Sequence, residues 1–131
     1  ALYREGHPLV DFNLTATAPA PTLNVDRRQI KQALINLVDN AISAMHRRGR
    51  IDIVVSEDAA RGRVLIEVAD SGPGITDDVK ARLFEPNFST KTTGMGLGLT
   101  IVNSIISDHQ GRVRVEDNAP TGARFIIELP L

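Results

Sequence analysis

The sequence predicts a two-layer α/β sandwich, one sheet with helices laid over a single face. Three observations lead there. Several short segments alternate apolar and polar residues, as strands with one buried face do, and two longer segments carry one apolar stripe at helical spacing. The chain is 131 residues long, which is one domain and enough to bury roughly two-thirds of its unfolded surface.

Leu9 to Leu14 alternates and reads as a strand, followed by a Pro-broken loop and a short extended piece from Leu23 to Val25. Asp26 with Gln29 three residues on is a capping-box pattern. The helix it opens has Ile30, Ala33, Leu34, Leu37, Val38, Ala41 and Met45 on its apolar positions and is expected to end near Arg47 to Gly49. Ile51 to Ser56 and Arg63 to Asp70 form a predicted hairpin. Thr76, ahead of Asp77 and Asp78, caps a short helix to about Leu83. A second long helix is expected from Leu97 to Gln110, stopping at Gly111, and the strands Val113 to Asp117 and Ala123 to Leu129 flank the turn NAPTG.

Composition narrows the function. Fifteen Lys and Arg against sixteen Asp and Glu, with five aromatic residues, provide no basic surface of stacking rings, so nucleic acid is not an expected partner. With no cysteine, disulfides, thiolate metal sites and cysteine nucleophiles are excluded, and His7, His46 and His109 are too scattered for a histidine metal site. No apolar run approaches the roughly 18 residues of a membrane span, so no direct membrane contact is expected and the domain reads as cytoplasmic. The chain opens on Ala1 rather than Met, which reads as a fragment of something longer.

Four features go beyond packing. Asn36 and Asn40, four apart, share a helix face expected to lie opposite the apolar stripe; alone they are a solvated face, but an amide oxygen also suits Mg²⁺. Asp70-Ser71-Gly72-Pro73-Gly74 ends a strand, where glycines allow close backbone approach and a carboxylate can accept from an exocyclic amine. Gly94-Met95-Gly96-Leu97-Gly98-Leu99 stands immediately before a helix, where freed amides and the helix dipole favour phosphate. No Gly-Lys-Ser or Gly-Lys-Thr follows, so this is not a P-loop. Between the last two features runs Glu85 to Thr93, long and without period, with Phe84 and Phe88 as anchors and Lys91 as a phosphate contact, which reads as a lid or as a plain surface loop.

Together these motifs resemble the catalytic ATP-binding domain of sensor histidine kinases, in the superfamily shared with gyrase, Hsp90 and MutL. NLVDNA (Asn36 to Ala41) is similar to the family's N box, DSGPGI (Asp70 to Ile75) to its first glycine box, LFEPNF (Leu83 to Phe88) to its F box and GMGLGL (Gly94 to Leu99) to its second glycine box. The resemblance covers essentially the whole chain. It implies the Bergerat ATP-binding fold, a mixed, mostly antiparallel sheet covered on one face by helices, with residues 1–131 forming one catalytic domain cut from a kinase whose dimerisation and sensor domains lie elsewhere.

The resemblance also implies roles. Asp70 would accept from the adenine amino group, with Gly72, Gly74 and Ile75 around the base. Asn40, with Asn36 beside it, would hold Mg²⁺. Phe84 to Gly94 would form the ATP lid, Lys91 and Thr92 would reach the phosphates, and Gly94, Met95, Gly96, Leu97, Gly98 and Leu99 would complete the nucleotide site. Asn36 and Lys91 would be the catalytic pair. The partners implied are a histidine-bearing dimerisation domain and a downstream response regulator, and EPNFSTKTTGMGLGLTIV is most similar to the nitrogen-regulation branch.

Three departures bear on this reading. Hydrolysing members of the superfamily have a general-base Glu where Asn36 stands, and an amide cannot take a proton from water. Ser43 occupies a position where many histidine kinases have Lys, and Met95 replaces a small hydroxyl residue. None of the three histidines has the context of a phosphoacceptor. The rival readings are an anti-sigma-type Ser/Thr kinase, which usually keeps the Glu, and a nucleotide-sensing module without phosphotransfer.

Overall fold

The computed structural model describes residues 10–16, 25–45, 48–82 and 95–130. In chain order these form β1 (Val10–Ala16), α1 (Arg27–Ala44), β2 (Gly49–Asp58), a 3₁₀ turn at Ala59–Arg61, β3 (Arg63–Asp70), α2 (Asp77–Arg82), α3 (Met95–Asp108), β4 (Arg112–Asp117) and β5 (Ala123–Pro130). The sheet has the order β1-β2-β3-β5-β4. Only β1 runs parallel to its neighbour, pairing Phe12 with Ile51; the other pairings are antiparallel. This is the mixed, mostly antiparallel sheet that was expected.

Period-two alternation sorts the strands onto two faces. Register places Ile51, Val68, Ile66, Val64, Phe125, Ile127 and Leu129 on one of them, and all are buried with Ala33, Leu37, Val38 and Ala41 of α1 and Leu99, Val102 and Ile106 of α3. Each such aliphatic side chain contributes about 1.5–3 kcal/mol by leaving water, and this shared core fixes both helices to the same face. The opposite face carries a charged lattice. Arg124 reaches Glu67 at 3.5 Å and Glu116 at 3.0 Å, and Arg114 reaches Glu128 at 3.3 Å.

Helix ends depart from the sequence reading in instructive ways. Asp26 caps α1 as expected, its carboxylate accepting from the amides of Arg28 and Gln29 at 2.9 and 3.2 Å. The capping box is not reciprocal, however, because the Asp26 amide donates to His109 Nε2 at 3.0 Å instead of to Gln29. The helix also stops earlier than Arg47: Met45 is its C-cap, the Met45 amide donates to the Ala41 carbonyl, and Gly49 already belongs to β2. Helix α3 starts at Met95, so residues 95–98 of the second glycine box lie in its first turn rather than preceding it. The left-handed residue that ends α3 is Gln110, at φ 61°, not Gly111. β1 bears out the expected strand from Val10 and runs on to Ala16; Leu9 lies outside the described residues, and Leu14, at the sheet edge, is 72% exposed.

Candidate nucleotide site

Asp70 is the last residue of β3 and is only 3% exposed, the one buried charged residue among those described. Its Oδ1 accepts from the Gly72 amide at 2.9 Å and the Ala123 amide at 3.3 Å, while its main-chain oxygen accepts from Asn118 Nδ2 at 2.8 Å. Burial pushes the carboxyl above its ordinary pKa, and the Gly72 and Ala123 amides work against that shift. Both backbone bonds fall on Oδ1, and among the described residues none is made to Oδ2. The carboxylate is therefore held rigidly with one oxygen left for an incoming donor.

The loop after Asp70 is held from two sides. Ser71 exchanges two bonds with Arg50, its amide donating to the Arg50 carbonyl at 3.1 Å and its Oγ accepting from the Arg50 amide at 2.9 Å. On the other side is the β4–β5 turn, where Gly122 has φ 108° and a Cβ would lie 1.9 Å from the Asp70 carbonyl oxygen. Gly74, at φ 86°, likewise occupies a left-handed conformation, its missing Cβ facing the Gly122 carbonyl at 3.2 Å.

Two cavities meet at Gly74 and Ile75. The smaller, about 50 Å³, is lined by Asn40, Ala41, Ala44, Asp70, Ala123 and Phe125 together with those two residues. The larger, about 350 Å³, is an open cleft between the Pro73–Thr76 segment and the β4–β5 turn. Lys80 bridges α2 to that turn, its Nζ 2.6 Å from Asp117 and 3.5 Å from Asp77.

The two asparagines of α1 prove to be unlike each other. Both are half-buried, at the margin of the apolar stripe and not opposite it. Asn36 Oδ1 accepts from Gln32 Nε2 at 2.9 Å, one turn earlier. Asn40 Nδ2 is buried and, among the described residues, has no hydrogen-bond partner, at the wall of the small cavity. A buried amide without a partner costs about 1–3 kcal/mol, so Asn40 is not placed there for stability.

The family of histidine kinase-, DNA gyrase B- and HSP90-like ATPases matches residues 25–131. The chain belongs to this ATPase family. It is 48% identical over 122 residues to the sensor protein FixL of Bradyrhizobium diazoefficiens, covering 92% of this chain and 24% of the relative. The catalytic domain of the histidine kinase ThkA, in a nucleotide-free form, superposes with a TM-score of 0.86 at 38% identity, over 98% of this chain and 86% of that one. ThkA in complex with the response regulator protein TrrA superposes with a TM-score of 0.77 at 32% identity, over 98% of this chain and 36% of that one. The chain is thus a histidine kinase catalytic domain, and it spans about a quarter of the length of the FixL sensor it matches.

Within this kinase domain the structure brings together Asn40, Asp70, Gly72, Gly74 and Ile75. Phe84, Lys91, Thr92 and Gly94 lie outside the described residues. Met95, Gly96, Leu97 and Gly98 are helical, in the first turn of α3. The Leu99 side chain is fully buried in the core, which leaves its backbone for any contact with a ligand. Asn118 and Gly122, which pack against Asp70, were not among the residues the sequence pointed to. The string NAPTG signals a turn, but nothing in its local spacing shows that the turn closes on Asp70.

Proposed function

We propose that the chain binds Mg-ATP at the Asp70 pocket and donates the γ-phosphoryl group to a histidine on a separate dimerisation domain. The observation that carries this reading is Asp70 itself, a buried carboxylate locked through Oδ1 and lining a cavity with Asn40, Ile75 and Phe125. An exocyclic amine of adenine is the matching donor. About 50 Å³ is far below the roughly 300–1,000 Å³ of a whole small-molecule site, so the pocket takes the amino edge of the ring and the sugar and phosphates lie outside it.

Phosphates would run from there to the first turn of α3, where the amides of Gly96 and Gly98 would meet them at the positive end of the helix dipole. Lys91 and Thr92 would join them from the lid. The orphaned amide of Asn40 fits Mg²⁺: a neutral oxygen donor, reached by turning the amide over, leaves the other positions of the ion to phosphates and water. When bound, Mg²⁺ neutralises charge on the phosphates. Asn36 stands next to it, with its oxygen already accepting from Gln32. In the transfer, an imidazole nitrogen of the acceptor domain attacks the γ-phosphorus, the N–P bond forms, the bond to the β,γ-bridging oxygen breaks and ADP leaves. Asn36 cannot activate water, so hydrolysis does not compete.

The acceptor domain and a response regulator are the proposed partners, the latter by analogy with ThkA and TrrA. No helix among the described residues is long and apolar enough to cross a membrane, which supports a cytoplasmic location for the domain. The nitrogen-regulation branch is proposed on the lid string EPNFSTKTTGMGLGLTIV.

Incubating the chain with labelled ATP and a histidine-bearing dimerisation domain tests the reading. Acid-labile label on that domain, with slow hydrolysis by the chain alone, is expected. Acid-stable label, or brisk ATP turnover by the chain alone, would overturn it.

A further inference from the structure

His109 follows the last turn of α3 and makes two hydrogen bonds in opposite directions. Its Nε2 lies 3.0 Å from the amide nitrogen of Asp26, which can only donate, so Nε2 is the acceptor. Its Nδ1 lies 2.8 Å from the Ile105 carbonyl oxygen, which can only accept, so Nδ1 carries the proton. One neutral tautomer satisfies both, and it joins the N-cap of α1 to the last turn of α3 across the domain.

The frame around the ring is itself fixed. Gln110 is held in the left-handed region at φ 61°, its carbonyl accepts from Arg63 of β3 at 3.1 Å, and the Gly111 amide returns to the Ile106 carbonyl at 2.9 Å. A non-glycine residue at such a φ is strained and persists only where its surroundings hold it. The imidazole is therefore presented from a rigid turn anchored to the sheet.

The two helices that this ring joins are the two that bear the opposite halves of the proposed site. Asn40 lies nearly four turns, about 20 Å, from the tied end of α1, and the glycine-rich first turn of α3 lies about as far from His109. Between the tie and the site the helices share a core of Ala33, Leu37, Leu99, Val102 and Ile106. A pin at one end of a packed helix pair limits rotation at the other, where a small angular error becomes an ångström-scale displacement of a ligand oxygen.

We propose that His109 is a positioning residue for the nucleotide site, its neutral Nδ1–H tautomer tying Asp26 to Ile105 and so setting the alignment of Asn40 with the phosphate-facing turn of α3. The proposal rests on the nucleotide-binding reading above, and the test separates the two. His109→Asn places a donor where Nδ1 stands, keeping the bond to Ile105, but its side chain is too short to reach Asp26. His109→Gln lets an amide oxygen reach the Asp26 amide.

Calorimetry with a non-hydrolysable ATP analogue, with and without Mg²⁺, is run on the wild type, His109→Asn and His109→Gln. The Mg²⁺-dependent gain in affinity is expected to fall about three- to tenfold in His109→Asn, the equivalent of one hydrogen bond, and to recover in His109→Gln. Nitrogen chemical shifts of the ring in the wild type should report Nδ1–H, with the Asp26 amide protected from exchange. An Nε2–H tautomer, or equal Mg²⁺ dependence in wild type, His109→Asn and His109→Gln, overturns the positioning role while leaving the kinase reading intact. A wild-type chain that binds no analogue overturns both.

Discussion

Gly122 lies so close against Asp70 that a β-carbon on it would fall 1.9 Å from the Asp70 carbonyl oxygen and 2.9 Å from its carboxylate. The β4–β5 turn and the end of β3 thus form one unit, further joined by the 2.8 Å bond from Asn118 to the same carbonyl. Every property proposed for the adenine pocket depends on that unit.

Gly122→Ala is accordingly expected to be severe. The side chain meets backbone at a distance no rotamer relieves, and φ 108° is itself strained for alanine. A loss of about 3 kcal/mol or more in denaturant unfolding is expected, with nucleotide affinity lost alongside. A variant of wild-type stability would show that the turn does not close on Asp70.

Asp70→Asn should separate binding from stability. Loss of the charged acceptor lowers ATP affinity about ten- to a hundredfold, since a bond to a charged group is worth roughly 1.5–3 kcal/mol. Folding responds in the opposite sense. Burial holds the folded-state pKa above the ordinary value of 3.8, so the folded state binds more protons than the unfolded between those two values. Asp70's contribution to wild-type stability is then fully present below 3.8 and is lost as pH rises through the folded pKa. The Asn variant, without this loss, should match or exceed the wild-type melting temperature at pH 7, and its advantage should shrink as pH approaches 3.8. A variant that melts well below wild type at pH 7 would contradict this account.

Asn40→Ala should also gain stability as it loses function. Removing a buried amide that lacks a partner contributes about 1 kcal/mol to stability, offset in part by lost packing. The Mg²⁺-dependent part of ATP binding should vanish while Mg²⁺-free binding barely changes. Retention of the wild-type Mg²⁺ response would place the ion elsewhere.

Asn36→Glu tests the missing base. If hydrolysis is slow because no carboxylate faces the water near the γ-phosphate, the substitution should raise the ATPase rate of the isolated chain, with general-base help worth about 10²- to 10⁴-fold at full effect. The gain is reduced where Gln32, which now donates to the Asn36 oxygen at 2.9 Å, holds the new side chain away. Unchanged hydrolysis in a variant that still binds ATP would mean position 36 does not face the attacking water.

Local patterns by themselves determined a good deal. Alternation in Ile51 to Ser56 and Arg63 to Asp70, the Asp26 cap and the stripe through Ala33, Leu37 and Ala41 specify strands and helices because each depends on neighbours a few residues away. The order of NLVDNA, DSGPGI and GMGLGL carried the resemblance to the family, since motif order belongs to the chain itself. Tertiary structure alone decided the rest. Gln29 lost the second half of its capping box to His109, 83 residues from Asp26, and Asn118 found its acceptor 48 residues back at Asp70. Asn40 became the orphaned amide and Asn36 the paired one, although the sequence presents them as equals. A buried polar group takes whatever partner the packing of separate elements delivers within hydrogen-bond reach, and no periodicity along the chain encodes that distance.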